Sequence, residues 1–373
     1  MLVEAEYVLN RSGRVPDVFV YNSFIITLCR KGNAVEANAR LNEMIELGIE
    51  PDCCNYTTVM YCYCKFGQVD QSMKIFAQML KRGVGLTIIT YTVLIEGFVK
   101  VGDQQRAEYA FSALKRDGIK PDLFVYNALI NGYCKEGYMQ TAYKLKDMME
   151  KDGVSPDIST YNIIMHGLVK KGSKENVRKT FDEIVRRGIS PDKITFTNLI
   201  DSFCKEGNLN EAYFTLCSMS STGVKPDVVA CSVLLDGYCE VGQMEEASGL
   251  FRKMLDIGLK PDLILYRTLV WGFCKIGDVG KACRLLTMMK KDGILPDYVI
   301  YRSLVRGFNK SGAVNAVETA AMKMEDIFRG NEIVLSNLYY WVHEALLVDG
   351  VFDDKNCDSS PTDFRNELLA AAL

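Results

Sequence analysis

Histidine is nearly missing from this chain. Of 373 residues only His166 and His343 are histidines, too few and too far apart for a His-rich metal site. Long apolar runs are missing as well: every hydrophobic stretch is soon broken by Lys, Glu or Gly, so no segment is long enough to span a bilayer. The opening residues, MLVEAEYVLNRSGRVPD, have neither the apolar core of a secretory signal nor the Arg/Ser-rich, acid-poor character of a transit peptide. There is no P-loop, no dinucleotide fingerprint, and no H-x-E with a P-C-x-x-C that would hold a deaminase zinc. A strong charge of either sign is lacking too. The net charge is −3 and the pI near 5.7, which taken alone points away from a nucleic-acid partner.

Cysteine, by contrast, is plentiful at thirteen residues, which raises zinc, redox chemistry or core packing as explanations. The only local cluster is Cys53–Cys54 with Cys62 and Cys64, and it contains no C-x-x-C pair. Where the cysteines recur along the chain answers the question. The dipeptide Pro-Asp closes at Asp17, Asp52, Asp122, Asp157, Asp192, Asp227, Asp262 and Asp297, at intervals of 35 residues with one of 70, and Thr87 stands where the missing copy belongs. Nine repeats of 35 residues therefore run from Val18 to Glu332 without an insertion.

Other residues keep the same register. A glycine is the fifteenth residue of every repeat, from Gly32 to Gly312, and a second lies four before the end of eight repeats, from Gly48 to Gly293, failing only in the last. Between the glycines lie two segments with apolar residues at helical spacing, such as Tyr126, Leu129, Ile130 and Tyr133, then Ala142, Leu145, Met148 and Met149. Gly after such a segment stops a helix, and Asp after Pro is a good N-cap for the next one. Each repeat reads as a helical hairpin. A lone hairpin cannot bury both apolar stripes, but stacking on like neighbours does so. The expected fold is all-α, an α-solenoid of helix-turn-helix repeats that coils into a superhelix with a concave inner face. Cys29, Cys64, Cys134, Cys204, Cys239 and Cys274 share the twelfth place of their repeats, where Val99 and Val169 also occur. Valine can replace a small buried hydrophobe but not a ligand or nucleophile, so the cysteines are core. Met44, Met79, Met149, Met219, Met254, Met289 and Met324 share another place with Leu114 and Ile184, for the same reason.

Two rows remain once core and capping places are subtracted. After the cysteine come Arg30, Lys65, Lys100, Lys135, Lys170, Lys205, Glu240, Lys275 and Lys310, eight of nine basic in an acidic protein. A cation near a helix C-terminus is worth about 0.3–1 kcal/mol, which accounts for any one of them. Repeated through a solenoid they also form a rail suited to a phosphate chain. The fifth place reads Asn22, Thr57, Thr92, Asn127, Asn162, Thr197, Ser232, Arg267 and Arg302, one residue after an aromatic in eight repeats. Seven small amides and hydroxyls are poor helix formers, and their donors and acceptors suit the edge of a base.

The stretch PDLFVYNALINGYCKEGYMQTAYKLKDMMEKDGVSPD, and its counterparts over residues 18–332, resemble the pentatricopeptide repeat. The resemblance implies single-stranded RNA binding at about one base per repeat. It makes the fifth and last residues of each repeat the reading pair: Asn22/Asp52, Thr57/Thr87, Thr92/Asp122, Asn127/Asp157, Asn162/Asp192, Thr197/Asp227, Ser232/Asp262, Arg267/Asp297 and Arg302/Glu332. The second residues, Phe19, Cys54, Ile89, Phe124, Ser159, Ile194, Val229, Ile264 and Val299, would sandwich the bases, Ser159 departing from the apolar pattern and Cys54 marginal. The family's preferences, Asn with Asp for U and Thr or Ser with Asp for G, translate the first seven pairs, read 5′ to 3′, into U-R-G-U-U-G-G. The two arginine pairs have no meaning in that code.

The uniform repeat length resembles the P-type subclass, and FCKEGNLNEA resembles the restorer-of-fertility-like branch. That implies a non-catalytic, monomeric binder without cofactor, metal or membrane insertion, acting with protein partners on organellar RNA processing, stability or translation. The implied organelle is the mitochondrion, with the chloroplast as alternative. The rival reading is a protein-binding scaffold of tetratricopeptide type, against which its 34-residue period and different aromatic pattern count. Residues 1–17 read as the second helix of a partial repeat, which suggests a chain incomplete at its N-terminus. Residues 333–350 read as a capping helix and 351–373 as a polar tail.

Overall fold

The structure, a computed structural model, describes residues 18–348; the expected partial repeat at 1–17 and the tail at 351–373 lie outside them. The described residues form nineteen α-helices and no strand. They fall into two compact halves that divide between Pro191 and Asp192. The N-terminal half holds α1 (Val18–Arg30), α2 (Ala34–Glu46), α3 (Cys53–Lys65), α4 (Val69–Lys81), α5 (Ile88–Lys100), α6 (Gln104–Arg116), α7 (Leu123–Lys135), α8 (Met139–Lys151), α9 (Ile158–Lys171) and α10 (Lys174–Arg186). The C-terminal half holds α11 (Lys193–Lys205), α12 (Leu209–Ser221), α13 (Val228–Val241), α14 (Met244–Asp256), α15 (Leu263–Ile276), α16 (Val279–Lys291), α17 (Tyr298–Lys310), α18 (Ala316–Ile327) and α19 (Glu332–Val348). Odd-numbered helices up to α17 are the first helices of repeats. Within each half, a first helix packs on its own second helix and on the first helix of the following repeat, the arrangement of an α-solenoid.

The Pro-Asp signal works as an N-cap. Asp122, with extended backbone, accepts the Val125 N–H at 3.0 Å, and Asp157 accepts that of Thr160 at 2.9 Å. Thr160 returns its hydroxyl toward the Asp157 N–H, closing a capping box, and Asp52/Asn55 and Asp192/Thr195 do the same. Thr87, in the place of the missing Asp, caps α5 through its own hydroxyl and pairs with Thr90 in the same way. Helix ends use the glycines in the left-handed region: Gly153, at φ 81°, donates to the Glu150 carbonyl after α8. The last repeat has Phe328 in that place. Phe328 is fully buried, the left-handed turn moves to Gly330 (φ 85°), and Asn331 caps α19 by accepting the Val334 N–H at 3.2 Å.

The twelfth-place cysteines have a specific steric partner. Gly167 on α9 lies so close to Cys134 that an added Cβ would come within 2.7 Å of the Cys134 Cβ. Gly97 meets Cys64, Gly237 meets Cys204, Gly272 meets Cys239 and Gly307 meets Cys274 in the same manner, while Gly132 meets Val99. A small residue on one first helix and a glycine on the next thus set how closely adjacent repeats stack. Buried fourth-place tyrosines donate their hydroxyls to a carboxylate on the second helix or at its C-cap, Tyr126 to Asp152 at 2.5 Å, Tyr266 to Asp292 at 2.6 Å and Tyr161 to Glu183 at 3.0 Å, while Tyr301 donates to the Val317 carbonyl at 3.0 Å. This latch ties the two helices of a hairpin. Tyr56 has no such carboxylate, and its hydroxyl is buried without a hydrogen-bond partner.

Candidate nucleic-acid interface

The first turn of each first helix sets out the second-place row. All nine of these residues are exposed, with Phe19 at 77%, Phe124 at 70% and Val229 at 62% despite their apolar side chains. Apolar groups held in water at one repeated place are available to contact something other than the core. One turn along, the fifth-place side chains are mostly half-buried. Their hydroxyls donate back to the carbonyl four residues earlier: Thr57 to Cys53 at 2.8 Å, Thr92 to Ile88 at 2.8 Å, Thr197 to Lys193 at 2.7 Å and Ser232 to Val228 at 2.6 Å. The asparagines behave differently. Asn127 Oδ1 accepts from the Thr160 hydroxyl at 2.8 Å, and Asn22 Oδ1 accepts from Asn55 Nδ2.

These contacts bring several fifth and last residues together. The Thr160 hydroxyl bridges Asn127 and Asp157, and Asn55 bridges Asn22 and Asp52. Arg267 and Asp297 form a direct salt bridge. Between the second and third repeats a cavity of about 580 Å³ is lined by Cys54 and Ile89, the consecutive second-place residues, and by Thr57 and Thr87, the pair between them; Asp52 and Tyr61 complete its wall. Thr92, Asn162, Thr197, Ser232 and Arg302 occupy the same helical place, and Asp122, Asp192, Asp227 and Asp262 each cap the helix that follows them. Glu332 differs: it is the first residue of α19 and exposed, the cap having passed to Asn331.

The cationic row lies at the far ends of the first helices. Arg30, Lys65, Lys100, Lys135, Lys170, Lys205 and Lys310 are exposed, and Lys275 is half-buried against Trp271, its Nζ 4.4 Å from the ring centroid. Several of these lysines reach back one repeat to the last carbonyls of the neighbouring first helix: Lys100 to Lys65, Lys170 to Lys135 at 3.4 Å, Lys275 to Glu240 at 2.7 Å and Lys310 to Lys275. Each therefore caps its neighbour's helix dipole as well as carrying a charge.

Midway between the fifth and thirteenth places lies a row that the sequence reading did not single out. The ninth place, at i+4 from one and i−4 from the other, shares their helix face. It holds Ile26, Tyr61, Glu96, Asn131, His166, Asp201, Asp236, Trp271 and Arg306. Two of these carboxyls are pushed above the usual carboxylate range, Glu96 by burial and Asp236 by burial together with Glu240 and Asp201. The spacing alone carried the signal, but the residue types vary too much to announce a row.

Burial pushes the thiols of Cys134, Cys204, Cys239 and Cys274 up to about 12, so none is a thiolate at neutral pH. Among the described residues no group of three or more His, Cys, Asp or Glu is placed to hold a metal ion, and no helix is long and apolar enough to cross a membrane.

A solenoid of 35-residue helical hairpins, with an exposed apolar row and a polar row at the head of every first helix, defines a class of helical-repeat protein. The PPR repeat family matches residues 16–60, 121–170, 156–205, 194–240, 226–275 and 261–310, with a pentatricopeptide repeat domain over 74–136 and a PPR repeat over 47–80. The chain belongs to the PPR repeat family. Among curated proteins none matches it significantly. Among solved structures, the pentatricopeptide repeat protein PPR10 in complex with an 18-nt psaJ RNA element is similar at 22% identity and a TM-score of 0.54, over 92% of this chain and 58% of that one. The crystal structure of the pentatricopeptide repeat protein PPR10 from maize gives 21% identity, 91% and 67% coverage and a TM-score of 0.36. Yeast Rmd9p in complex with a 16-nt target RNA gives 14%, 84% and 77% coverage and 0.48. This chain spans somewhat over half the length of the PPR10 chain in its RNA complex.

Proposed function

We propose that the protein binds single-stranded RNA sequence-specifically, one base per repeat, as a non-catalytic, monomeric factor of the P-type, restorer-like branch. In this reading it acts with protein partners on the processing, stability or translation of transcripts in the mitochondrion, or alternatively the chloroplast. The observation that carries the reading is the cavity between Cys54 and Ile89, with Thr57 and Thr87 at its wall: two second-place residues flank a space that a reading pair lines. PPR10, whose fold this chain shares, has been crystallised with an RNA element.

The hydrogen-bond pattern supports the base preferences. Thr92, Thr197 and Ser232 spend their hydroxyl protons on the helix, so they turn lone pairs outward. With the second carboxylate oxygen of Asp122, Asp227 or Asp262, that makes an acceptor face, which suits the N1–H and N2–H₂ donors of guanine. Asn127 spends its carbonyl oxygen on Thr160 and turns its amide N–H₂ outward, which suits a uracil carbonyl. The core is then U-R-G-U-U-G-G. Selection from a randomised RNA pool tests it: this core should be enriched, and Asn127→Thr should convert the fourth base from U to G. An unrelated core, or a fourth base indifferent to the substitution, refutes the code. No RNA binding at all favours the tetratricopeptide-type scaffold.

A further inference from the structure

In the last two repeats the reading geometry is replaced by a basic stripe. On α15 the fifth, ninth and thirteenth places are Arg267, Trp271 and Lys275, and on α17 they are Arg302, Arg306 and Lys310. Residues at i, i+4 and i+8 rise about 6 Å per step along one helix face. The two preceding repeats of the same half carry Thr197, Asp201 and Lys205, then Ser232, Asp236 and Glu240. The stripe therefore changes sign along the C-terminal half, from carboxylates to guanidinium and ammonium groups.

Neither arginine pair presents the arrangement of the Asn/Asp and Thr/Asp pairs. Asp297 has one oxygen on the Ile300 N–H, at 3.2 Å, and the other on Arg267, so both its oxygens are engaged. Arg302 offers only donors, and its partner Glu332 sits on α19 rather than at a capping position. Arg302 and Arg306 are exposed and have no ion-pair partner among the described residues. A guanidinium in water with no carboxylate beside it suits a phosphate, which it can hold through two parallel N–H bonds. Beside them Ile264 and Val299 remain exposed, at 61% and 49%, so a base can still be covered without being identified.

We propose that the last repeat, through Arg302 and Arg306, grips the phosphate backbone of the nucleotides 3′ of the read core, whatever their sequence; the cations of repeat eight are already paired, Arg267 with Asp297 and Lys275 with Glu240. The inference rests on the RNA-binding reading above. The test takes the seven-base core returned by the selection and extends it by two nucleotides at the 3′ end (AA, CC, GG or UU), by two 3′ abasic residues that keep the phosphates, or by two nucleotides at the 5′ end. The 3′ extensions should strengthen binding about tenfold at low salt, with equal gains for all four sequences and for the abasic form. The 5′ extension should give less. Arg306→Ala should remove most of the 3′ gain, and Arg306→Lys should keep most of it. A gain that depends on base identity makes these repeats readers, and a gain equal for all four sequences that vanishes in the abasic RNA makes them cover the bases through Ile264 and Val299; either overturns the grip. No 3′ gain, or a gain untouched by Arg306→Ala, overturns it as well. Failure of the selection to return any RNA is a different result, and it removes the RNA-binding reading itself.

Discussion

At the scale of single residues, the recurrent cysteine is a packing group whose size is fixed by a glycine on the next helix. Cys134→Val reproduces the Val99/Gly132 arrangement already present in the third and fourth repeats, and should change stability by less than about 1 kcal/mol. Gly167→Ala pushes a methyl against Cys134 and should cost about 1–3 kcal/mol, read by urea denaturation. Chemical reactivity follows the same division. Cys54 and Cys217 are exposed, whereas Cys134, Cys239 and Cys274 are buried, with thiols raised to about 12. Brief alkylation of the folded protein at pH 8, mapped by peptide mass spectrometry, should label the first two and leave the other three until denaturant is added. Early labelling of Cys134 would mean that the first helices do not stack as closely as described. The sequence already placed these cysteines in the core because valine alternates with them. It could not show the glycine as their partner, because that contact joins residues about one repeat apart and glycine is ordinarily read as a turn or a stop.

Helix boundaries were the most legible feature at the scale of elements, because Pro-Asp and Gly are local signals with local physics. Even the irregular copy, Thr87, does the capping work of the Asp it replaces. What composition and period did not reveal are contacts between helices, such as the tyrosine latch and the buried ion pair of Lys146 with Glu183. That pair joins α8 to α10 at 2.9 Å, with the Tyr161 hydroxyl also on Glu183. Burial alone would raise the Glu183 carboxyl, but hydrogen bonds from Lys146 and Tyr161 outweigh it and hold it below the ordinary glutamate range. A depressed carboxyl stabilises the fold above its unfolded value, and this contribution is lost as the pH falls through the folded value. Glu183→Gln should therefore destabilise at neutral pH, by about 2 kcal/mol, because it leaves the Lys146 ammonium buried without its counter-charge. The difference from the parent should shrink as the pH is lowered past the glutamate range. A difference independent of pH in thermal melts would assign the loss to packing instead.

For the whole molecule, net charge and local charge point in opposite directions. The chain carries −3 overall, yet eight of nine thirteenth-place residues are basic. Several of these lysines also cap a neighbouring helix, so the rail has a structural use that would persist without any ligand. Salt dependence separates the two uses. If each of the eight cations displaces one counterion from single-stranded RNA, the logarithm of affinity should fall with that of salt at a slope of about −5 to −6. Replacing Lys65, Lys100, Lys135 and Lys170 by glutamine should flatten the slope by about 3. If these lysines act only as caps, the same variant will melt earlier and leave the slope where it was. The carboxylates of the ninth place act against the rail. Asp236, raised by burial and by Glu240 and Asp201, takes up a proton at a higher pH than an ordinary aspartate. Protonation removes a negative charge from the face proposed to meet phosphate, so on that reading RNA affinity should rise as the pH is lowered from neutrality toward the carboxylate range. Asp236→Asn should bind more tightly at pH 7 and lose part of that pH dependence, the raised Glu96 of the same row keeping the rest. An Asp236→Asn protein whose affinity follows pH as the parent does would place Asp236 away from the bound strand.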